Sequence, residues 1–271
     1  MEPEFHSPRV NGMTDLEAAF ARDGYVRIAG AVAPDIVGEC VLSIGAHLRA
    51  RGVDLEDPTT WTRPVVRIPC PEEPPFAAAG TSPALWQTYD VLLGPGRWVP
   101  RQGVGGTVPV RFPSDGDPGD AAWHIDGSYD VDGQWFVNLR SRWRGLLALF
   151  LFTDVGPDDA PTELIVGSHM DVPPLLVPFG DAGVAFDTGG LPASTFQRPR
   201  VFANGSAGDV FLCHPFMVHR ATWPHRGNLP RIIAQPEIAH HEPFSLNPDT
   251  ITCIVEQTIV DSLTLAGQLA R

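Results

Sequence analysis

The 271-residue chain contains no lysine; its nineteen basic side chains are all arginine. That absence excludes chemistry that needs a side-chain amine: pyridoxal-phosphate and aldolase-type imines, P-loop phosphate cradles and protein-kinase sites. An anionic ligand must instead be held by arginine, histidine, backbone N–H groups or a metal. Cysteine is scarce, and Cys40, Cys70, Cys213 and Cys253 stand far apart with no Cys-x-x-Cys pair. This argues against a zinc ribbon or a redox dithiol and reads as reduced thiols of a cytoplasmic protein. Long apolar runs are also missing; the longest, LLALFLF, is far short of a bilayer span. The opening residues MEPEFHSPRV carry acid and proline where an export signal needs basic and then apolar residues. Positive charge is in deficit, with a formal net charge of −13. Broad binding to nucleic acid or anionic membrane is therefore not expected, although a local basic pocket can still take a small anion.

What is present is ordinary for a globular enzyme: 43% hydrophobic and 19% charged residues, enough to bury a good core as one domain over residues 1–271. The 27 Gly and 28 Pro favour short strands and turns over a helical bundle. Residues 1–13 read as a loose tail and 14–100 as a helical front. One helix runs from Asp15 to Asp23, with Leu16, Ala19 and Phe20 on one face, and ends at Gly24 before the strand-like YVRIAG. A second spans about Pro34 to Arg51, with Ile36, Val37, Cys40, Val41, Ile44 and Leu48 at helical spacing. A third takes Ser82 as N-cap and Pro83 as first residue, buries Leu85, Leu92 and Leu93, and stops at Gly94. From 101 to 240 the texture changes to short strand-like runs: TVPVRF, WFVNL, GLLALFLFTDV, ELIVG, VFLC and PRIIAQPEI. The expected fold is mainly β with flanking helices, a double-stranded β-helix of jelly-roll, cupin-like form. Residues 248–271 hold a last helix, from about Thr252 to Leu265, with Ile254, Val255, Ile259 and Leu263 inward.

The informative segment is AAWHIDGSYD, where His124 and Asp126 stand two apart in a strand-like context. Alternation puts both side chains on one face, where an imidazole and a carboxylate can take adjacent positions on a metal. One more histidine completes the 2-His-1-carboxylate facial triad, which leaves coordination sites open for cosubstrate and O₂. Downstream, GDVFLCHPFMVHRATWPHRGN offers His214, His219 and His225. His214 precedes a proline at an expected bulge and His225 sits in a turn-like PHRGN, whereas His219 ends the apolar run FMV, as a residue at a barrel mouth does. Twelve residues on, Arg231 opens RIIAQPEI and can emerge on the adjacent strand, where a guanidinium grips a carboxylate by two parallel hydrogen bonds.

Several segments in order resemble the phytanoyl-CoA dioxygenase-like family of Fe(II)- and 2-oxoglutarate-dependent oxygenases. They are FARDGYVRIAGAV, WHID, DDAPTELIVGSHMDVP and GDVFLCHPFMVH with the following PR, and they cover about residues 16–240. The texture is nearest to bacterial members of antibiotic and other secondary-metabolite pathways. The resemblance implies His124, Asp126 and His219 as iron ligands, Arg231 as the 2-oxoglutarate clamp, and hydroxylation of a small natural-product-type molecule with release of succinate and CO₂. Desaturation and cyclisation are variants of the same reaction. Halogenating relatives have Gly or Ala in place of the carboxylate, so Asp126 argues for oxygen transfer. The chain departs from the family pattern in three places. The interval from His219 to Arg231 is one residue longer than usual, Ala221 is followed by Thr222, and Ala160-Pro161 replaces the common glycine turn. Some members also use a lysine at the cosubstrate, which this chain cannot do.

Arg111, in PVRFP, and Thr162 and Thr222 are candidates for further cosubstrate contacts, and Tyr129, Trp135 and Arg140 for substrate contacts, together with Trp123. His169 reads as structural, and His240-His241 as a solvated turn. Two rival readings are a cupin-like metal enzyme that does not use 2-oxoglutarate, against which Arg231 speaks, and a non-catalytic binding domain, against which the complete ligand set speaks.

Overall fold

The computed structural model describes residues 13–185 and 188–269. The expected tail therefore lies outside the described residues apart from Met13, which opens the first helix. In chain order the elements are α1 (Met13–Asp23), β1 (Tyr25–Ile28), α2 (Pro34–Arg49), β2 (Val65–Pro69), α3 (Pro74–Gly80), α4 (Pro83–Leu93), β3 (Thr107–Arg111), β4 (Tyr129–Val131), β5 (Gln134–Phe136) and β6 (Leu146–Leu151). They continue with β7 (Glu163–Ile165), α5 (Pro173–Leu176), β8 (Arg200–Phe202), β9 (Val210–Cys213), β10 (His219–Arg220), β11 (Arg231–Ala234), β12 (Glu237–Ile238) and α6 (Ile254–Leu265).

Apart from β4 and β5, which pair with each other, the strands form the two sheets of a jelly roll. The major sheet runs β1-β9-β6-β11-β3-β2, with β12 also paired to β6, and all its pairs are antiparallel. The minor sheet runs β10-β7-β8 and is widened by a bridge between His124 and His219. Every residue of β6 and β9 is buried, because these central strands are covered on both faces. The core joins Phe150, Phe152, Val210 and Leu212 to the inward faces of α2, α4 and α6. Helix α6 packs against α1, α4 and α5. Among the described residues no helix is long and apolar enough to cross a membrane.

The front of the chain supplies the outermost strands of the major sheet, the expected β1 at one end and, unforeseen, β2 at the other, and one helix start needs correction. Edge strands are half solvated, so the mixed burial of β2 leaves little periodic signal. Ser82 does stand at the start of α4, but its hydroxyl makes no cap. It donates instead to the Ala31 carbonyl at 2.5 Å, tying the helix to the loop after β1.

Candidate functional site

His124 and His219 face each other across the antiparallel bridge that widens the minor sheet. Each backbone N–H donates to the other residue's carbonyl at 2.9 Å. Directly opposed residues project to the same side of a sheet, so register alone brings the two imidazoles together, with ring centroids 4.3 Å apart. Asp126, two residues beyond His124, shares that side. The three donor atoms lie within 4.8 Å of one another, and no other group of three among the described residues does so. Asp126 Oδ1 is 3.9 Å from Nε2 of His124 and 3.9 Å from Nε2 of His219. Two ligands bonded to one ion at about 2.1 Å stand about 3.0 Å apart at right angles and about 4.2 Å apart when opposed, so the cluster has the span of a metal site.

The tautomers fit as well. His124 Nδ1 donates to the Ala122 carbonyl at 2.9 Å, and His219 Nδ1 to the Met217 carbonyl at 3.0 Å. A carbonyl can only accept, so both hydrogens are on Nδ1 and both Nε2 lone pairs face Asp126. Burial, with His124 beside it, pushes the His219 imidazole down to about 4, which keeps it neutral at physiological pH. Burial works against the Asp126 carboxylate, but Arg144 first, and then the two histidines, outweigh it and hold the group below the usual carboxylate range. The residue after Asp126 must be glycine: a Cβ on Gly127 would lie 2.5 Å from Cβ of Trp135.

In the major sheet, Arg231 and Arg111 are paired residues of β11 and β3. Both are 2% exposed. Arg111 Nη2 holds both oxygens of Asp120 at 2.6 Å, and Arg67 of β2 reaches the same carboxylate. Among the described residues Arg231 forms no ion pair with a carboxylate. Its Nη1 donates to the Ala160 carbonyl in the turn before β7, and its Nε, like that of Arg111, is buried without a partner. Burial and then the like charge of Arg111 push the Arg231 guanidinium down to about 9. Two guanidiniums thus hold one carboxylate and a third lies buried beside them, and the orphaned Nε donors of Arg111 and Arg231 remain where one more anion would satisfy them. The turn that Arg231 holds leads into β7, which pairs with the His219 strand β10. Ala160 holds the left-handed conformation, φ 49°, that the expected turn requires of its usual glycine.

The remaining candidates are placed less centrally. Thr222 gives its one hydrogen to the Pro161 carbonyl at 2.6 Å, so the expected donation to a cosubstrate is not what this hydroxyl does here. Thr162 is buried beside it. Tyr129 is buried and its hydroxyl donates to the Ala182 carbonyl, while Arg140 binds the Phe244 carbonyl and Asp181. Trp135 is 60% exposed, next to Gly127. Trp123 packs under the guanidiniums of Arg220 and Arg200, at 4.4 and 5.3 Å. His214 and His225 are buried, and both use Nδ1 to accept a nearby backbone N–H. His169 is structural as expected, with Nε2 on the Ala21 carbonyl. The solvated turn expected at His240-His241 is half wrong: His240 is buried, bonded to the Ser141 carbonyl at 2.7 Å and stacked on Phe244, and only His241 is exposed. A cavity of about 280 Å³ lined by Ala121, Ala160, Pro161, Arg220 and Thr222 lies beside the Arg231 anchor. A larger one, about 710 Å³, opens between α4 and the start of α6 and shares no residue with the metal cluster.

Asp120 and Arg144 were not expected. Asp120 lies in a loop with no periodicity, and Arg144 is one of three alternating arginines in RSRWR. Their charge was legible, but their direction was not.

No protein-family model and no curated protein matches the sequence. Solved structures do match it in fold. The epimerase SnoN, in complex with Fe³⁺, alpha-ketoglutarate and nogalamycin RO, aligns with a TM-score of 0.57 at 20% identity, over 84% of this chain and 82% of that one. The non-haem alpha-ketoglutarate-dependent carbocyclase SnoK from nogalamycin biosynthesis aligns at 0.55 and 16%, over 87% of each chain. AviO1 from Streptomyces viridochromogenes Tue57 aligns at 0.55 and 21%, over 88% of this chain and 97% of that one. At these identities the likeness is one of fold, and it places the chain among jelly-roll structures that include non-haem iron enzymes.

Proposed function

We propose that this chain is a non-haem Fe(II)- and 2-oxoglutarate-dependent oxygenase that hydroxylates an unactivated C–H bond of a small natural-product-type molecule, folded as one domain. The observation that carries the reading is the conjunction, within one jelly roll, of a His-Asp-His cluster of metal-site span with a buried arginine pair on β11 and β3 whose Nε donors lack partners. The cluster alone fits many cupin-like metal enzymes. The arginine pair is what a dicarboxylate cosubstrate needs and a cosubstrate-independent enzyme does not. The fold neighbours support the same reading, since SnoN was captured with iron and alpha-ketoglutarate and SnoK depends on the latter. Their epimerase and carbocyclase activities make desaturation and cyclisation natural variants.

In this reading His124, Asp126 and His219 hold the iron through two Nε2 atoms and one carboxylate oxygen. When bound, iron and 2-oxoglutarate supply an oxidant able to break a C–H bond, with succinate and CO₂ as coproducts. The protein's own residues bind and orient. The Nδ1–carbonyl hydrogen bonds fix the ring planes, and Arg231 takes the distal carboxylate, with Arg111 beside it adding positive potential. His219, 3% exposed, sits on the inner side of the cluster, while His124 and Asp126 are partly open. Substrate therefore approaches from the side of the 124–127 segment, near Trp135.

The test is anaerobic addition of Fe(II) and 2-oxoglutarate to the purified protein. The expected result is a weak visible charge-transfer band and, once air is admitted, slow succinate formation without substrate. A protein that gives neither is not a 2-oxoglutarate oxygenase. A panel of candidate metabolites scored by stimulated succinate release then identifies the substrate.

A further inference from the structure

Arg144 precedes the central strand β6 and is 9% exposed, although no ligand or cosubstrate role calls for it. Its Nη1 lies 3.3 Å from Oδ2 of Asp126. Its Nη2 and Nε donate to the Gly127 carbonyl at 3.0 and 3.3 Å. One guanidinium thus grips both the side chain of the carboxylate residue and the backbone that follows it.

The loop that presents this arginine is costly and heavily braced. Ser141 and Trp143 both have positive φ, 43° and 70°, a conformation that disfavours side chains at roughly 1–3 kcal/mol each. The buried Ser141 hydroxyl donates to the Arg144 carbonyl at 2.7 Å, and the Arg144 N–H donates to the Ser141 carbonyl at 3.1 Å. His240 Nε2 binds the same Ser141 carbonyl, and Asn138 Oδ1 accepts from the Arg142 N–H at 3.1 Å. A strained turn so fully tied down has a purpose beyond linking β5 to β6, and what it delivers to the cluster is the guanidinium of Arg144.

We infer that Arg144 is a positioning residue of the metal site: it occupies Oδ2 of Asp126 so that the carboxylate offers the ion Oδ1 alone. The inference rests on the metal-site reading above. Oδ1 is the oxygen equidistant, at 3.9 Å, from the two histidine nitrogens. Oδ2 faces the arginine. A carboxylate free to rotate can bind through both oxygens and consume a coordination position; one pinned at Oδ2 cannot. Arg144 thereby preserves the open positions on which cosubstrate and oxygen depend, and it sets the angle from which Oδ1 meets the ion.

Co(II), whose visible spectrum reports coordination number, is the probe. Arg144→Gln is expected to bind Co(II) about 10–100-fold more weakly than wild type, the usual loss when a partner of a metal ligand is removed. The bound spectrum should also change towards higher protein coordination. Arg144→Lys, which restores charge but not the fork, should fall between the two. An Arg144→Gln protein with wild-type affinity and a superimposable spectrum overturns the inference while leaving the metal site standing. Should the glutamine variant fail to fold, a crystal structure of the Ni(II)-loaded wild type decides. Oδ1 alone on the metal with Arg144 on Oδ2 supports the inference, and a bidentate Asp126 or a displaced Arg144 overturns it. A wild type that binds neither Co(II) nor Ni(II) overturns the metal reading itself, so the two failures are distinguishable.

Discussion

The metal cluster and the arginine pair are both polar islands in an apolar jelly roll, yet they are balanced in opposite ways. Around His124, Asp126 and His219 the ligand groups are partnered: two Nδ1 hydrogens rest on carbonyls, and the one carboxylate charge meets one guanidinium. Around Arg231 the accounts do not close, because Asp120 is taken by Arg67 and Arg111, Arg231 donates to the Ala160 carbonyl, and the Nε groups of Arg111 and Arg231 have no partner. A balanced site is preorganised, with its donor atoms turned to one point. An unbalanced one carries an unmet demand for negative charge, which on the proposed function a dicarboxylate would fill. Metal affinity should therefore reside at the first and cosubstrate affinity at the second, and mutation tests the division.

The largest effect is expected at the balanced site. His219→Ala should abolish the anaerobic Fe(II)–2-oxoglutarate band and all metal-dependent succinate formation, because a single imidazole and a carboxylate do not retain the ion. A surviving band would move the third ligand elsewhere.

Next comes the unbalanced site. Arg231→Ala should raise the 2-oxoglutarate concentration needed for half-maximal band intensity by two to three orders of magnitude. This corresponds to about 3–4 kcal/mol, the lower part of what is at stake when one partner of a buried charge pair is removed. Metal-only binding of Co(II) should stay within a few-fold of wild type. Equal losses of metal and cosubstrate affinity would mean that the two islands are one cooperative unit.

A third region serves as the control for a buried charge that is fully met. Glu256, buried at the start of α6, accepts from Arg97, from the backbone N–H of Ser245 at 2.7 Å and from that of Thr252 at 2.9 Å. Burial acts to raise its pKa, but Arg97 and these N–H groups prevail and hold the carboxyl down to about 2, against an ordinary 4.5. A depressed carboxylate contributes stability that is fully present above the unfolded value and is lost as pH falls through the folded one. Unfolding free energy should therefore decline by about 2–3 kcal/mol between pH 4.5 and 2 on account of this group. Glu256→Gln should remove that part of the acid sensitivity in urea titrations at several pH values. A variant whose pH profile is unchanged would show that the carboxylate carries no such coupling.

The smallest effect is predicted at Asp120, which is about one-fifth exposed. Asp120→Asn removes the carboxylate that Arg67 and Arg111 hold, so the ligand-free protein should lose about 1–3 kcal/mol of stability. Its melting temperature should also rise more on addition of 2-oxoglutarate than that of wild type, since the anion then relieves a greater deficit. An equal rise in both proteins would show that Asp120 and the cosubstrate site do not communicate.

His124, Asp126 and His219 come together in the fold, and Arg231 stands buried on its own strand, where local parity had put them. His124 and Asp126 share a face through strand alternation, and Arg231 opens its own strand, β11. The helices α1, α2, α4 and α6 were legible for the same reason, since an apolar face repeats over three or four turns. The short β8 and β10 and the solvated edge strand β2 were not, because three or so residues carry no period and an edge strand has one wet face. The expected cosubstrate contact of Thr222 was decided by a neighbouring carbonyl, and the burial of His240 by a ring and a loop far along the chain.

Sequence alone therefore determined the charge inventory and the local faces. Without lysine, every buried cation had to be an arginine, and a His-x-Asp pair in a strand had to point one way. Tertiary structure decided who faces whom. The antiparallel register set His219 opposite His124 and Arg231 opposite Arg111, and a strained turn selected Arg144 rather than Arg140 or Arg142 to hold Asp126. Register and turn conformation depend on contacts between residues distant in the chain, and no local pattern encodes those contacts.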